Sequence, residues 1–327
     1  MSTARGIAIG VDFGGTSVKV GLVAPTGRIA AVRLLPTRQL RTPERFVDGI
    51  AGAVASLIGR TGTHANRLAG VGVGAPGPVD AEDGVIHSMV NVPGWRRVPL
   101  GPMLTRRLGR RCFVDNDANC YALAEWRLGA GRGADHLVCL TLGTGVGGGL
   151  ILNGSLYRGA SGAAGELGHM AVDPHGPRCG CGRRGCLESL VGTAAIVRLG
   201  RTALRRGAQP LGRLVREANG RLMPRLVGRS ARAGDPRSRQ VWREVGRRLG
   251  IGVANLVNLF NPERIIIGGG IANNWALFAP ALRATVRAEA MAVPRRAVRL
   301  VRARFTDTAG IVGAAVLVWN ETGDGGA

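Results

Sequence analysis

One local pattern occurs twice in this chain: an apolar strand, a turn built from glycine and threonine, and a second apolar strand that ends at another turn. The first copy has its turn at residues 14–16 and the second at residues 143–145. A pattern that recurs in this way is typical of a duplicated fold, in which two halves share one topology. We therefore expect two α/β halves, each offering one glycine hairpin.

The segments around the hairpins alternate between strand and helix patterns, as they do in α/β proteins. Thr42 and Pro43 predict a helix start, with threonine as the N-cap and proline at the first helical position. Further helices are predicted over 117–128, 236–260, 273–291 and 308–319. Strands are predicted over 6–12, 17–24, 28–35, 68–74, 111–115, 135–142, 146–152, 264–267 and 298–304.

The charge of the chain is strongly positive, at +23 over 327 residues, and Lys19 is the only lysine. Such a balance suits nucleic acid or another polyanion, but a coding bias toward arginine is the favoured explanation. Aromatic residues make up only 4%, which disfavours a base-stacking surface. There is neither an apolar run long enough to cross a bilayer nor a signal-peptide layout. A cytoplasmic protein is therefore expected.

The first hairpin reads Asp12-Phe13-Gly14-Gly15-Thr16. Adjacent glycines let backbone N–H groups approach phosphate oxygens, and the Thr16 hydroxyl adds a donor. Asp12, at the end of the strand, suits Mg²⁺ binding, directly or through water. The Gly-Lys-Ser/Thr ending of a P-loop is absent, and a strand follows where a P-loop has a helix. Taken alone, the motif is also compatible with an ordinary turn.

The second hairpin is richer in glycine, with five glycines in residues 143–149. Glycines weaken strands, so this density indicates close approach by another group. Two equivalent hairpins that face each other could clamp one polyphosphate tail, with Thr144 and Gly145 at the second turn. The three glycines at 268–270 could pass beneath a base and ribose, or could form an ordinary strand-to-helix turn.

Asn116 and Asp117 lie where a predicted strand ends and a predicted helix begins. Catalytic carboxylates often lie at this edge in α/β proteins. Both residue types are also favoured helix caps. The two interpretations are compatible if one residue caps the helix and the other faces a ligand.

His169, Cys179, Cys181 and Cys186 have the composition and spacing of a structural metal site. Three thiolates and one imidazole complete a tetrahedral zinc shell, and the glycines between them allow a tight chain path. Two carboxylates bracket this segment, since Glu166 precedes His169 by three residues and Glu188 follows Cys186 by two. Carboxylates fixed in this way suit hydrogen bonds to sugar hydroxyls, whereas either one alone would indicate only surface charge.

Together these motifs resemble those of the ROK family of bacterial sugar kinases and repressors, and most closely its ATP-dependent glucokinases. The resemblance covers essentially the whole chain, and the segment 179–188 is its most specific part. It implies an actin/hexokinase-like (ribonuclease H-like) duplicated two-domain α/β fold with an interdomain cleft. The small domain would be residues 1–116, completed by the C-terminal helix 308–321. The large domain would be residues 117–307, with a zinc loop at 169–188.

The resemblance also implies the reaction: ATP-dependent phosphorylation of the 6-hydroxyl of glucose, with Asp117 as general base and with Mg²⁺ and structural Zn²⁺ as cofactors. The metal ligands would be those given above. The sugar would be held by Asn91, Asn116, Glu166, His169 and Glu188. ATP would be held by Asp12, Gly14, Gly15, Thr16, Lys19, Thr144, Gly145, Gly268, Gly269 and Gly270.

Alternatives within the resemblance concern the substrate and the donor. The sugar could be N-acetylmannosamine, N-acetylglucosamine, an aminoglucose or fructose, and polyphosphate could replace ATP. A sugar-responsive repressor would need a helix-turn-helix segment before Asp12, where only eleven residues stand, so nucleic acid is not an expected partner. A homo-oligomer, either a dimer or a tetramer, is expected.

Overall fold

Two compact units make up the chain in the computed structural model, which describes residues 6–89 and 94–323. The first unit contains the described residues of 1–133, 149–165 and 307–327, and the second contains 134–148 and 166–306. The sequence predicts a first boundary at residue 116, but the first unit continues to residue 133. The physical reason is that the helix after this boundary packs against the C-terminal helix.

The first sheet belongs to the first unit. Its strands, together with those of a small neighbouring sheet, are β1 Ile7–Phe13, β2 Ser17–Val23, β3 Ile29–Pro36, β4 Leu68–Ala75, β5 Val79–Asp80, β6 Val85–Ser88, β7 Arg96–Val98 and β8 Cys112–Asn116. The main sheet has the order β3-β2-β1-β4-β8. Its first three strands are antiparallel neighbours, while β4 runs parallel to both β1 and β8.

The second sheet repeats this topology. Its strands are β9 Leu137–Leu142, β10 Val146–Leu152, β11 Ser155–Leu156, β12 Arg264–Gly268 and β13 Arg299–Arg302. Their order is β11-β10-β9-β12-β13, which matches the first sheet position by position. The last three strands of the order are parallel, as in the first sheet. The duplication predicted from the two glycine–threonine turns is therefore confirmed.

Helices cover these sheets. They are α1 Pro43–Thr61, α2 Leu100–Leu108, α3 Asp117–Leu128, α4 Leu187–Val191, α5 Thr193–Arg205, α6 Gln209–Glu217, α7 Pro224–Arg232, α8 Pro236–Phe260, α9 Trp275–Glu289, α10 Ala292–Ala297 and α11 Ala309–Glu321. The predicted cap of α1 is present, since the Thr42 side chain accepts the Arg45 N–H at 3.3 Å. The sequence predicts no helix between residues 193 and 232, but the structure has α5, α6 and α7 there.

Two predicted bounds differ from the structure in the second unit. The helix predicted from Asn273 begins at Trp275, because a 3-10 turn over Gly270–Asn274 precedes it. The strand predicted over 298–304 is limited to β13, whose residues pair with β12. Among the described residues, no helix combines the length and the apolar character that crossing a bilayer requires.

The C-terminal helix α11 lies directly on the first sheet. A Cβ atom at Gly10 would come within 1.9 Å of the Ile311 carbonyl oxygen, and one at Gly72 within 1.8 Å of the Ala314 carbonyl oxygen. Only glycine therefore allows the helix to pack this closely. The contact fixes α11 against β1 and β4. The strand β1 leads to the first hairpin, and β4 lies between β1 and β8 in the sheet.

Candidate active site

The first glycine hairpin joins β1 to β2. The Gly14 N–H donates to the Asp12 carbonyl at 3.1 Å, and Gly15 and Thr16 are exposed at the tip. A Cβ atom added at Gly15 would meet no atom of the described chain within 4 Å, so folding alone does not require glycine there. Glycine at an open, exposed tip suits close approach by an anionic ligand.

A carboxylate and an ammonium group face each other across this hairpin. The β1–β2 register places Asp12 opposite Lys19, and the Lys19 Nζ donates to the Asp12 Oδ2 at 3.0 Å. The same ammonium group donates to the Asp307 carbonyl at 3.1 Å, ahead of α11. The pair is partly exposed, at 31% for the lysine side chain and 20% for the aspartate. The hairpin thus carries a lysine cation and an aspartate carboxylate side by side.

Asn116 and Asp117 divide two tasks at the start of α3. The Asn116 Oδ1 caps the helix by accepting the N–H groups of Ala118 at 2.9 Å and Asn119 at 3.4 Å. Its Nδ2 donates to the Gly77 carbonyl at 3.0 Å. Asp117 is exposed, and its Oδ1 accepts the Ala118 N–H at 2.8 Å. Asn116 is therefore the cap, and the Asp117 carboxylate lies at the positive end of the helix dipole.

The second hairpin joins β9 to β10, and the first residue of α5 hydrogen-bonds to it. The Gly143 N–H donates to the Gly145 carbonyl at 2.9 Å, and Thr144 is exposed at the tip. Thr193, the first residue of α5, donates to the Gly143 carbonyl from its N–H at 3.0 Å and from its hydroxyl at 2.9 Å. The turn is thereby fixed before any ligand binds.

Glu188 connects the second hairpin to the cysteine segment. Its Oε2 accepts the Val146 N–H at 3.1 Å, and its Oε1 accepts a hydrogen bond from the Cys179 Sγ at 3.5 Å. A Cβ atom at Gly145 would lie 2.4 Å from the Glu188 Oε2. Glycine at this position therefore makes room for a carboxylate of the chain itself.

A cavity of about 230 Å³ lies beside the second hairpin, within the second unit. It brings the turn residues Gly143 and Thr144 together with Gly270, which follows β12. The cavity is lined by Gly143, Thr144, Thr193, Pro224, Arg225, Arg232, Gly270, Ile271, Asn273 and Asn274. The Arg232 Nη1 donates to the Asn274 Oδ1 at 2.9 Å, which orients both side chains at its wall.

The three glycines after β12 occupy different environments. Gly268 is the last residue of the strand. Gly269 has φ +80° and lies so close to β9 that a Cβ atom would be 2.4 Å from the Leu142 carbonyl oxygen. Gly270 has open space around it in the described chain and lines the cavity. Of the three, Gly270 is the one that meets the cavity.

The predicted metal ligands lie together in the second unit. The ligand atoms of His169, Cys179, Cys181 and Cys186 are all within 4.8 Å of one another. The Cys181 and Cys186 Sγ atoms are 3.7 Å apart, and the His169 Nδ1 is 3.6 Å from the Cys179 Sγ. Zinc–sulfur bonds of about 2.3 Å in a tetrahedron place two sulfurs about 3.8 Å apart. The cluster is therefore a candidate site for a tetrahedral metal ion.

Burial affects the protonation of this cluster. It raises the pKa of the Cys179 thiol to about 12, and it also raises the pKa of Cys186. A hydrogen bond with the backbone of Arg183 lowers the pKa of Cys181. Metal binding must therefore displace protons from at least the two buried thiols.

Glu166 and His169 flank a short 3-10 turn, Leu167–His169, beside the second hairpin. A Cβ atom at Gly168 would come within 2.0 Å of the Val146 carbonyl oxygen, so this turn packs directly on β10. The Glu166 side chain is 59% exposed, and its Oε2 lies 3.9 Å from the His169 Nε2. Asn91, the remaining predicted sugar ligand, lies outside the described residues.

Sequence reasoning missed the other side chains of the cavity: Thr193, Arg225, Arg232, Asn273 and Asn274. The asparagine pair could have been noticed, since it follows three glycines after a strand. The two arginines stand in a stretch where arginine is so frequent that no single position is distinctive. Their placement depends on how α7 packs.

The ROK family model matches residues 8–321, nearly the whole chain. The chain belongs to the ROK family, and the resemblance inferred from its motifs is confirmed. The predicted α/β fold of the actin/hexokinase class is confirmed as well, because the chain matches ROK glucokinase structures over nearly its full length.

Particular relatives narrow the comparison. The glucokinase of Thermotoga maritima is 36% identical over 315 residues, covering 96% of this chain and 98% of the glucokinase. The crystal structure of a ROK family glucokinase from Streptomyces griseus in complex with glucose and AMPPNP is 36% identical, with a TM-score of 0.81. That match covers 95% of this chain and 99% of the other. The N-acetylglucosamine repressor of Escherichia coli O157:H7 is 31% identical, covering 95% of this chain but 75% of the repressor.

Proposed function

We propose that this chain transfers the γ-phosphoryl group of ATP to the 6-hydroxyl of glucose, forming glucose 6-phosphate. Full-length similarity to glucokinases supports the sugar and the donor. The observation that carries the chemistry is the arrangement at α3, where Asn116 supplies the helix cap and leaves the Asp117 carboxylate exposed.

Asp117 acts as the general base in this proposal. A carboxylate can accept the proton of the sugar hydroxyl as the new oxygen–phosphorus bond forms, which typically contributes about 10²–10⁴-fold to the rate. Its hydrogen bond to the Ala118 N–H fixes one oxygen.

Donor binding draws on both hairpins. The backbone N–H groups at Gly14, Gly15 and Thr16, together with the Lys19 ammonium, form one phosphate-binding group, and Thr144 and Gly145 form the other. The cavity beside Thr144 accepts the nucleoside, with Gly270 beneath it. Gly268 and Gly269 support the position of Gly270. Gly268 ends β12, and Gly269 packs on β9. When Mg²⁺ is bound, Asp12 holds it, and the ion neutralises charge on the phosphates.

Sugar binding falls to polar groups around the 3-10 turn and the start of α3. The Glu166 carboxylate accepts hydrogen bonds from sugar hydroxyls, and the His169 Nε2–H donates to them. Asn91 and Asn116 contribute amide groups. Glu188 contacts the sugar while it keeps its hydrogen bond to the Val146 N–H, because each carboxylate oxygen has two lone pairs. His169 therefore binds both the metal and the sugar in this proposal.

The metal in the His169, Cys179, Cys181 and Cys186 cluster is zinc in this proposal, and its role is structural. All four positions of a tetrahedral ion are filled by protein atoms, so the cluster supplies rigidity. It fixes the ring orientation of His169 and, because the ligand Cys186 is the N-cap residue of α4, the start of the helix that carries Glu188. The sugar-binding side chains then need little reordering when the sugar arrives.

The kinase reading is better supported than the repressor reading. The repressor relative is 31% identical to this chain, whereas the two glucokinases are each 36% identical to it. We further propose a cytoplasmic enzyme, since ATP is its donor. The expected homo-oligomer stays a prediction.

A sugar panel with purified protein tests the proposal. Glucose, fructose, N-acetylmannosamine, N-acetylglucosamine and glucosamine are offered with ATP and Mg²⁺, and phosphorylated product is measured by mass. We expect glucose to give the highest kcat/KM. A higher kcat/KM for any other sugar would reassign the substrate, and product formed with polyphosphate in place of ATP would widen the donor class.

A further inference from the structure

An ion pair between a buried carboxylate and a partly exposed guanidinium adjoins the Asn116–Asp117 turn. Asp115, the preceding residue in β8, is 1% exposed. Arg158, which follows β11, donates from its Nε to the Asp115 Oδ2 at 2.8 Å. Both residues belong to the first unit, and neither takes part in the reaction described above.

The Asp115 carboxylate organises the backbone that presents the proposed base. Its Oδ1 accepts the Asn116 N–H at 2.7 Å and the Asn119 Nδ2 at 2.8 Å. Asn116 in turn caps α3. One carboxylate therefore fixes the residue before Asp117 and a residue in the first turn after it.

Arg158 connects this carboxylate to the end of the chain's last helix. Its Nη2 donates to the Glu321 Oε1 at 3.1 Å, at the end of α11. Burial opposes the charge of Arg158, but Asp115 and Glu321 keep the pKa of the guanidinium above its ordinary value. Removing the partner of a buried charge leaves that charge uncompensated. Here the uncompensated charge would be the Asp115 carboxylate, two residues before Asp117.

We propose that Arg158 is a positioning residue for phosphoryl transfer. Anchored at Glu321, it holds the Asp115 carboxylate, and this carboxylate holds the Asn116–Asp117 turn in the geometry that proton removal requires. The inference rests on the proposed role of Asp117 as base. A misplacement of about 1 Å in such a group can cost about 10²-fold in rate, so a residue that never touches substrate can control kcat.

The first test separates positioning from simple stabilisation. Arg158→Ala should lower kcat for glucose by roughly 30- to 100-fold, with the KM for ATP within about twofold of wild type, since the nucleoside cavity lies in the second unit. Arg158→Lys keeps the charge but lacks the planar fork that spans Asp115 and Glu321. Its kcat should therefore lie between those of wild type and Arg158→Ala. Thermal unfolding identifies the temperatures at which each variant is folded.

Chemical rescue is the second test. A groove of about 340 Å³, lined in part by Arg158, Ser155, Asn320 and Glu321, opens beside the guanidinium. Arg158→Ala therefore leaves a space that a small cation can enter. Millimolar ethylguanidinium should restore kcat by about tenfold or more, whereas ethylammonium, which has the charge without the fork, should not. Arg107→Gln, which removes an exposed pair with Asp48, is the matched control and should change neither constant.

Selective rescue together with a retained KM for ATP would support positioning. A kcat of Arg158→Ala within about threefold of wild type would overturn it, and so would a loss of kcat that ethylguanidinium fails to restore. If Arg158→Ala does not fold, the kcat and KM values of Arg158→Lys decide the question. A kcat of Arg158→Lys equal to that of wild type would then refute the proposal. Wild-type protein that phosphorylates no glucose would refute the proposed function instead, which keeps the two failures distinct.

Discussion

Asp117→Asn is expected to separate folding from catalysis. The helix cap is untouched, because Asn116 supplies it, and the new amide oxygen can keep the Ala118 N–H that Asp117 accepts at 2.8 Å. The fold loses only one exposed negative charge at the start of a helix. Such a charge contributes about 0.3–1 kcal/mol, and solvent exposure puts this one at the lower end.

The catalytic loss should be far larger. Removing the proton acceptor should lower kcat by about 10²–10⁴-fold, or roughly 3–5 kcal/mol of transition-state stabilisation. The KM values for glucose and ATP should change little, because the amide can still accept a hydrogen bond from the hydroxyl and the hairpins are unaltered. Steady-state kinetics with glucose and ATP, together with thermal unfolding, measure both effects on one sample.

Glu44→Gln provides the matched control. Glu44 is an exposed acidic residue in the first turn of α1, so its replacement removes the same kind of helix-terminal charge. We expect a similar shift in unfolding temperature and an unchanged kcat. If Asp117→Asn keeps a kcat within about tenfold of wild type, the base is a different residue. If Asp117→Asn alone unfolds at a much lower temperature, its role is structural.

Three further predictions concern the hairpins and the metal cluster. Gly15→Val should fold normally, because the added side chain meets open space, but should raise the KM for ATP roughly tenfold or more, with stability followed by thermal unfolding. Because Lys19 is the only lysine, an amine-reactive label should modify one side chain, and ATP should protect it; peptide mass mapping that shows equal labelling with and without ATP would contradict its phosphate role. Cys181→Ser should lower the zinc content well below one per chain and weaken glucose binding about tenfold or more, whereas Cys112→Ser, outside the cluster, should change neither.

Local spacing made part of this site predictable. The tip of the first hairpin and the cap at α3 each involve a few neighbouring residues, and the metal ligands all lie between residues 169 and 186. Turn chemistry and ligand chemistry act over the same short range. The duplicated sheet order could also be predicted, since each copy of the pattern carries its own turn at residues 14–16 or 143–145.

The rest depends on packing between distant segments. Arg158 reaches Asp115 across 43 positions, and nothing in either local sequence indicates the pair. The cavity beside the second hairpin combines that hairpin, the start of α5, the α7 helix and the turn after β12. The sequence patterns predict neither α5 nor α7, and they do not say which of the many arginines faces a cavity.

The two hairpins share a sequence pattern, but their glycines serve different physical needs. Gly15 is open to solvent and free of contacts in the described chain, so its lack of a side chain matters only when a ligand approaches. Gly145 is packed against Glu188, whose other oxygen meets Cys179. A side chain at position 15 should therefore not harm the fold, whereas the second hairpin contacts Glu188, which lies two residues after the proposed metal ligand Cys186. Disturbing the metal should accordingly be felt at the second hairpin through Glu188, and the first hairpin should be insensitive to it.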